Sequence, residues 1–271
     1  RLEALYTWQS ALGIPIARLS ATDARCLESG LSGDVRIVLH SPTERQVDPR
    51  RMTRSLYAAC RHLGTAFLES APVTKIEQCR TGFDVLAGTS EIACGTVVIA
   101  GGAWSRTIGC LLHVALPIVP VRGQILALQA ASQPSAPLRH TVYASSAYLV
   151  PRPEGRVIVG ATEEPGAGFD HGVCAEDVAE LRSSAAALIP SMAGRALDGP
   201  AWAGLRPASR DGLPIMGALP GIPDAHVATG HYRNGILLTP ITGEIVAHGI
   251  LTETPHPMLA TELRAERFDT Q

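Results

Sequence analysis

The stretch Ala201–Pro240, AWAGLRPASRDGLPIMGALPGIPDAHVATGHYRNGILLTP, decides how the rest of the chain is read. His226-Val-Ala-Thr-Gly230 has the form of a buried strand closing on glycine, and Gly230-His-Tyr-Arg-Asn-Gly235 forms a loop after it. Ile236 to Leu251 is then largely apolar at helical spacing. Strand, glycine loop and helix in that order leave a helix N-terminus with unpaired N–H groups and partial positive charge, suited to an anion or an electron-rich ring edge. Two arginines in unusual company flank the strand, Arg206 in GLRP and Arg233 in GHYRNG.

Outward from this stretch, the 271 residues, 46% hydrophobic, suffice to bury a sizeable core in one large domain or two interleaved ones. A net charge of -2 with scattered Lys and Arg gives no basic stripe, which argues against nucleic acid or an acidic membrane as a partner. No apolar run is read as long enough to cross a bilayer. Cys26, Cys60, Cys79, Cys94, Cys110 and Cys174 are widely spaced without C-x-x-C or zinc-ligand spacing, so they are expected as free, mostly buried thiols in a reducing cytoplasm, with no metal. The opening Arg1-Leu-Glu-Ala-Leu is neither an initiator Met nor a signal peptide and reads as an internal start, making the chain a fragment.

Leu2–Leu12 and a short helix capped by Ser20 are expected as packing elements, and Val35–Leu39 as a strand. Asp48-Pro49 predicts a helix start, with Met52, Leu56, Ala59, Cys60 and Leu63 on one face and Gly64 past the end. Short strands are expected at Ala66–Glu69, Val73–Glu77, Phe83–Leu86 and Thr96–Ala100. The last, a Val-Val-Ile run ending in Gly101-Gly102-Ala103-Trp104-Ser105, has the form of a parallel strand buried on both faces. Its glycines admit two readings, close approach of another surface or a turn needing positive φ. Leu116–Leu128 reads as extended, with Pro120 putting its start at an edge. Ala147–Arg152 and Arg156–Thr162 make a hairpin across Pro153-Glu-Gly155, and Ala175–Ile189 is an amphipathic helix ended by Pro190. Pro134–Pro137 and Pro165–Gly168 are surface loops, and Gly166-x-Gly168 lacks the third glycine of a dinucleotide fingerprint.

GLRPxxxDGxPxxG, followed by hxATGHxRNGILLxPhTG, resembles the C-terminal third of the glycine-oxidase type in the D-amino-acid-oxidase-like family of FAD-dependent oxidoreductases. The segments Ala100–Ser105, Leu116–Leu128 and Tyr148–Thr162 resemble the family's A-[SG]-G-x-W-S, LPVKGE and YhVPRxxGRhhVGAT. The resemblance implies an α/β fold in which a Rossmann-like FAD-binding part is interleaved with an antiparallel-sheet substrate-binding part. Residues 1–46 and 116–205 would then bind substrate, and 47–115 and 206–271 would bind non-covalent FAD. The family's N-terminal G-x-G-x-x-G, which seats the FAD pyrophosphate, does not occur in the sequence. Without it the chain alone is expected to lack flavin, with Thr96–Ala100 and Val227–Thr229 short of a buried neighbouring strand.

An oxidase of small amino acids must hold the substrate carboxylate, and arginine's planar fork does so bidentately. Arg206 is read as that clamp or as a structural arginine satisfied by carbonyls or by Asp211. The resemblance assigns substrate contacts also to Arg233 and to the phenol of Tyr148, each otherwise an ordinary loop arginine or strand tyrosine. It assigns FAD contacts to Val73, Gly101, Gly102, Trp104, His231, Tyr232, Arg233, Asn234, Gly235, Ile236 and Leu237, with positive φ expected at Gly235. No side chain is assigned as a catalytic acid, base or nucleophile, and His62, His113 and His248 read as structural. No cysteine follows Cys174, so the covalent C-terminal attachment of some family members is excluded. The implied reaction converts glycine or another small amine-bearing acid to an imine and then a 2-oxo acid, with dioxygen giving peroxide, in a role implied for thiamine biosynthesis. Its subunit count is open, and a homo-oligomer is compatible with it. The alternatives are a dehydrogenase passing electrons to a quinone and a truncated, non-catalytic carboxylate-binding module.

Overall fold

The computed structural model describes residues 2–129 and 138–268. In chain order these form α1 (Leu2–Ala11), β1 (Ala17–Ser20), α2 (Ala21–Leu27), β2 (Ile37–His40), α3 (Pro49–His62), β3 (Val73–Cys79), β4 (Gly82–Ala87), β5 (Ser90–Cys94) and β6 (Val97–Ile99). There follow α4 (Ser105–Cys110), β7 (Ile118–Leu128), β8 (Val142–Tyr143), β9 (Tyr148–Pro151), β10 (Val157–Gly160), α5 (Ala175–Leu188), β11 (Trp202–Ser209), β12 (Ile215–Ala218), β13 (Ala225–Thr229) and α6 (Gly235–Thr252). The expected loop at Pro134–Pro137 lies outside the described residues.

Two compact units divide the chain. The first comprises 1–48, 123–163 and 171–204, and the second 49–122, 164–170 and 205–271. β7 and β11 therefore each carry residues of both.

In the first unit β7, β10, β9 and β8 are antiparallel neighbours, with Val157 opposite both Leu128 and Pro151. The β9–β10 turn closes as its sequence predicts, with Gly155 at φ 91° and a 2.9 Å bond from the Arg152 N–H to the Arg156 carbonyl. The inward residues Leu126, Leu128, Leu149, Val157 and Val159 pack against Leu181, Ala185 and Ile189 of the α5 segment. This is period-two and period-3.6 patterning meeting in one core. Pro190 ends α5 by opening a 3-10 turn, and Ser20 caps α2 by accepting the Asp23 N–H at 3.2 Å. The α1 helix forms but does not pack as expected. Trp8 and Leu12 are 57% and 61% exposed, and none of its residues is buried.

The second unit holds two three-stranded sheets, β3-β4-β5 and β12-β13-β6. Ile76, Phe83, Ile99, Leu112, Leu116, Ile118, Ile215 and Val227 share its core. Several expectations are corrected here. Ala66–Glu69 is coil and turn, since its apolar pair Phe67 and Leu68 finds no partner strand and stays 41% and 55% exposed. β6 is parallel to β13, but Val98 is 41% exposed, so the strand is buried on one face only. β6 is an edge of its sheet, whereas β13 lies between β12 and β6 and is not short of neighbours. The α3 helix starts and stops as predicted, with Gly64 at φ 90°, yet none of its residues is buried. All six cysteines are free, as expected, but they are exposed or half-buried rather than buried. The α6 helix, with mean hydropathy 1.3, is by length and composition apolar enough to span a bilayer, contrary to the sequence reading, although such a helix also suits a protein core.

Candidate functional site

β6 and β13 are parallel neighbours, with Val97 opposite Ala225 and Ile99 opposite Val227. Their C-terminal ends consequently point the same way and deliver two loops side by side, Ala100–Trp104 before α4 and Gly230–Asn234 before α6. Loops delivered together at the carboxyl ends of parallel strands are where α/β sheets place ligands.

Buried Thr229 ties the two loops together. Its hydroxyl accepts a bond from Ser105 Oγ at 2.8 Å and donates to the Gly102 carbonyl at 3.2 Å. Ser105 and Thr229 are 0% and 1% exposed, so neither hydroxyl has water as an alternative partner. The sequence reading passed over both residues, because a Thr ending a strand and a Ser starting a helix carry no distinctive spacing.

The two glycines of the first loop divide the two readings left open for them. Gly102 has φ 53° and open space where a Cβ would stand, so positive φ explains it. A Cβ on Gly101 would lie 2.4 Å from Ile108 Cδ1, so the surface that approaches it is the chain's own α4. Trp104 follows at 46% exposure. In the second loop positive φ falls on Gly230 at 75° and Tyr232 at 50°, while Gly235, expected to need it, has helical backbone. A Cβ at Gly235 would meet His231 Cβ at an ordinary 3.6 Å.

The α6 N-terminus supplies the donor set. Asn234 makes no side-chain cap and the first turn holds no acidic residue. The first described rung runs from the Leu238 N–H to the Asn234 carbonyl at 2.9 Å. The amides of Gly235, Ile236 and Leu237 thus have no partner within the helix. Ile236 and Leu237, 40% and 77% exposed, add apolar surface around them. His231 is anchored by a 2.9 Å bond between Nε2 and Thr242 Oγ1, and burial pushes its pKa down, which favours the neutral ring.

Arg206 is brought to the same loop. The Ala208–His231 bridge and the 3.0 Å bond from the Tyr232 N–H to the Pro207 carbonyl join the end of β11 to residues 231–232. Arg206 Nη1 donates to the Arg122 carbonyl at 3.4 Å. The alternative partner named for it is engaged elsewhere, because Arg267 takes both oxygens of Asp211 at 2.7 and 3.1 Å. This pairing is the main cause holding the Asp211 carboxyl down at about 2. Arg233, on the same loop, is exposed. Val73 starts β3 in the other sheet at 36% exposure, and no described hydrogen bond or strand pairing joins it to the two loops. Tyr148 belongs to the first unit. It opens β9 opposite Gly160, where an added Cβ would stand 2.5 Å from the phenol ring, and it stacks on Tyr143 with centroids 5.7 Å apart.

The family described as FAD dependent oxidoreductase (DAO) matches residues 1–248. The chain belongs to this family. Among its curated relatives, it is 35% identical over 246 residues to the glycine oxidase of Geobacillus kaustophilus, covering 89% of this chain and 63% of that protein. It is 34% identical over 235 residues to the bifunctional protein ThiO/ThiG of a Nostoc species, covering 86% of this chain and 35% of that one. The crystal structure of the Geobacillus kaustophilus glycine oxidase superposes with a TM-score of 0.91 at 31% identity, over 97% of this chain and 70% of that one. An iminodiacetate oxidase from Chelativorans superposes at 0.83 and 26% identity, over 92% and 67%. The chain thus spans less than two thirds of the length of the first of these curated relatives. FAD is the cofactor of the family, and the α/β fold with antiparallel sheets is that of its glycine oxidases. The donor set fits part of that group, since uncapped amides beside exposed apolar side chains suit an electron-rich heteroaromatic ring.

Proposed function

We propose that the protein catalyses FAD-dependent oxidation of glycine or another small amino acid to the imine, which water hydrolyses to the 2-oxo acid, with dioxygen reduced to peroxide. The observation that carries this reading is the uncapped α6 N-terminus beside the Gly101–Trp104 loop, with the strand of Arg206 joined to residues 231–232 just before that helix. Bound FAD would supply the two-electron acceptor for oxidation of the substrate amine to the imine, with dioxygen as the final oxidant.

The chain's own residues supply binding and orientation. Arg206 would pair with the substrate carboxylate through two parallel N–H bonds, fixing which face of Cα is presented. Arg233 would add positive charge at the same loop, and Tyr148 keeps its assignment as a substrate-binding phenol. Gly101, Gly102 and Trp104 would border the flavin ring together with the 231–237 backbone, and Val73 would touch another part of the cofactor. The amides of Gly235 to Leu237 would stabilise negative charge on the ring edge they face. On this reading the second unit is the FAD-binding part and the first is the substrate-binding part. The names of the relatives support glycine as the first substrate to test, and six unpaired cysteines suit a reducing cytoplasm.

The test is steady-state oxidation of glycine by the FAD-loaded protein, following both peroxide and 2-oxo acid. Arg206→Lys replaces a two-pronged contact with a point charge and should lose about 2 kcal/mol, roughly a 30-fold fall in kcat/KM. An unchanged kcat/KM would remove Arg206 from the clamp, and absence of both products from the wild type would overturn the reaction itself.

A further inference from the structure

The segment Glu164–Asp170 belongs to the second unit, although the residues on either side of it belong to the first. Arg122 fastens both of its ends. At one end the backbones form an antiparallel bridge, with the Arg122 N–H donating to the Glu164 carbonyl at 3.2 Å and the Glu164 N–H to the Arg122 carbonyl at 3.0 Å. The guanidinium closes on the same residue, with Nε and Nη2 reaching Glu164 Oε2 at 2.8 and 2.6 Å. At the other end Nη1 pairs with Asp170. The Arg122 side chain is 14% exposed and that of Glu164 22%, so this pair is partly desolvated, whereas Asp170, 62% exposed, is the solvent-facing partner. A lysine, with one compact ammonium, has no fork with which to span two carboxylates.

What the fastened loop carries is Phe169. Its ring lies 5.3 Å from that of Trp104, tilted by 33°, and each residue keeps 46% of its surface exposed. A short loop containing Gly166 and Gly168 would otherwise sample many conformations, and ordering it costs entropy that the Arg122 contacts offset. The Arg122 carbonyl also accepts from Arg206, so one residue contacts both the loop and the proposed carboxylate clamp.

We propose that Arg122 is a positioning residue of the candidate site, and that Phe169, held by it against Trp104, is a specificity-determining wall met by the substrate's α-substituent. This rests on the reading above that Trp104 borders the flavin and Arg206 holds the substrate. The exposed parts of the two rings, linked to Arg206 through Arg122, would form an apolar face that limits the size of that substituent. Removing the face should favour larger substrates relative to glycine.

The experiment uses the FAD-loaded protein with Arg122→Gln, Arg122→Lys, Asp170→Asn and Phe169→Ala. Hydrogen exchange of peptides covering 163–171 reads the fastening without reference to turnover. It should quicken about tenfold in Arg122→Gln, and less in Arg122→Lys and Asp170→Asn, with other segments unchanged. Kinetics on glycine, alanine and 2-aminobutyrate, each enantiomer tested, read the wall. The ratio of kcat/KM for 2-aminobutyrate over glycine should rise about tenfold in Phe169→Ala and Arg122→Gln, through KM more than kcat. Unchanged exchange in Arg122→Gln would overturn the positioning role. Should that variant not fold, unchanged exchange in Asp170→Asn, which leaves the Arg122–Glu164 pair intact, would do so. An unchanged ratio in Phe169→Ala would overturn the wall. A wild type that oxidises no amino acid would instead sink the proposed function, with the exchange result still deciding the fastening.

Discussion

Thr229→Val is nearly isosteric, so its cost can be worked from hydrogen bonds alone. It strands the Ser105 hydroxyl at 0% exposure and removes the donor to the Gly102 carbonyl. A buried hydroxyl left without a partner costs about 1–3 kcal/mol, and the lost bond to Gly102 adds about 1 kcal/mol, so a fall of roughly 2–4 kcal/mol is expected. Ser105→Ala alone is milder, because Thr229 still donates to Gly102, and about 1 kcal/mol is expected. The double variant strands neither hydroxyl and should cost less than the sum of the two, with a coupling of roughly 1–2 kcal/mol. Urea unfolding followed by tryptophan fluorescence measures all four proteins, provided the slope is shared so that midpoints report stability. If Thr229→Val costs under about 0.5 kcal/mol, or the two changes simply add, the hydroxyl pair does not couple the loops and the reasoning fails.

Two further outcomes are expected. Gly235→Ala meets only His231 Cβ at 3.6 Å and sits in helical backbone, so the melting temperature should hold while flavin affinity falls if the backbone there approaches the ring. Flavin absorbance and thermal melting on one sample separate the two, and unaltered affinity would place the ring elsewhere. Burial lowers the pKa of His231 and, more than Asp224 raises it, that of His226. The unfolded chain therefore takes up protons near the ordinary 6.5 that the native rings do not, and stability should decline as pH falls below that value. Asp211 adds a later loss between its ordinary 3.8 and about 2. Urea midpoints from pH 8 to 4 test the first step, and a flat profile would show that the rings are already protonated in the native state.

The elements legible in the sequence are those whose signal is local. β13, its loop and α6 were readable because an apolar run, a glycine and an apolar helix follow one another within Ala225–Thr252. The β9–β10 turn was readable from Pro153-Glu-Gly155, whose glycine does take the left-handed backbone that such a turn requires. Where the signal depends on a distant partner, the reading failed in both directions. Ser90–Cys94 forms a strand on the edge of its sheet with four of its five residues exposed, so it offers no alternation to detect. Phe67-Leu68 offers apolar character but no pairing, and remains coil.

The same distinction separates the parts of the candidate site. Arg206 and the 231–237 loop drew attention by unusual composition alone, and strand pairing then joined them through Ala208 and His231. Arg122 sits in a run of apolar residues that reads as an edge strand, and nothing within ten residues of it explains a half-buried cation. Its carboxylates come from Glu164 and Asp170, 42 and 48 residues away. Thr229 and Ser105 are 124 residues apart, and neither would be remarked upon without the other. Spacing can propose which loops carry the chemistry, because loop composition is local. Which side chains hold those loops in register is a property of the β6–β13 pairing, and it becomes visible only once parallel strands have set the two carboxyl ends side by side.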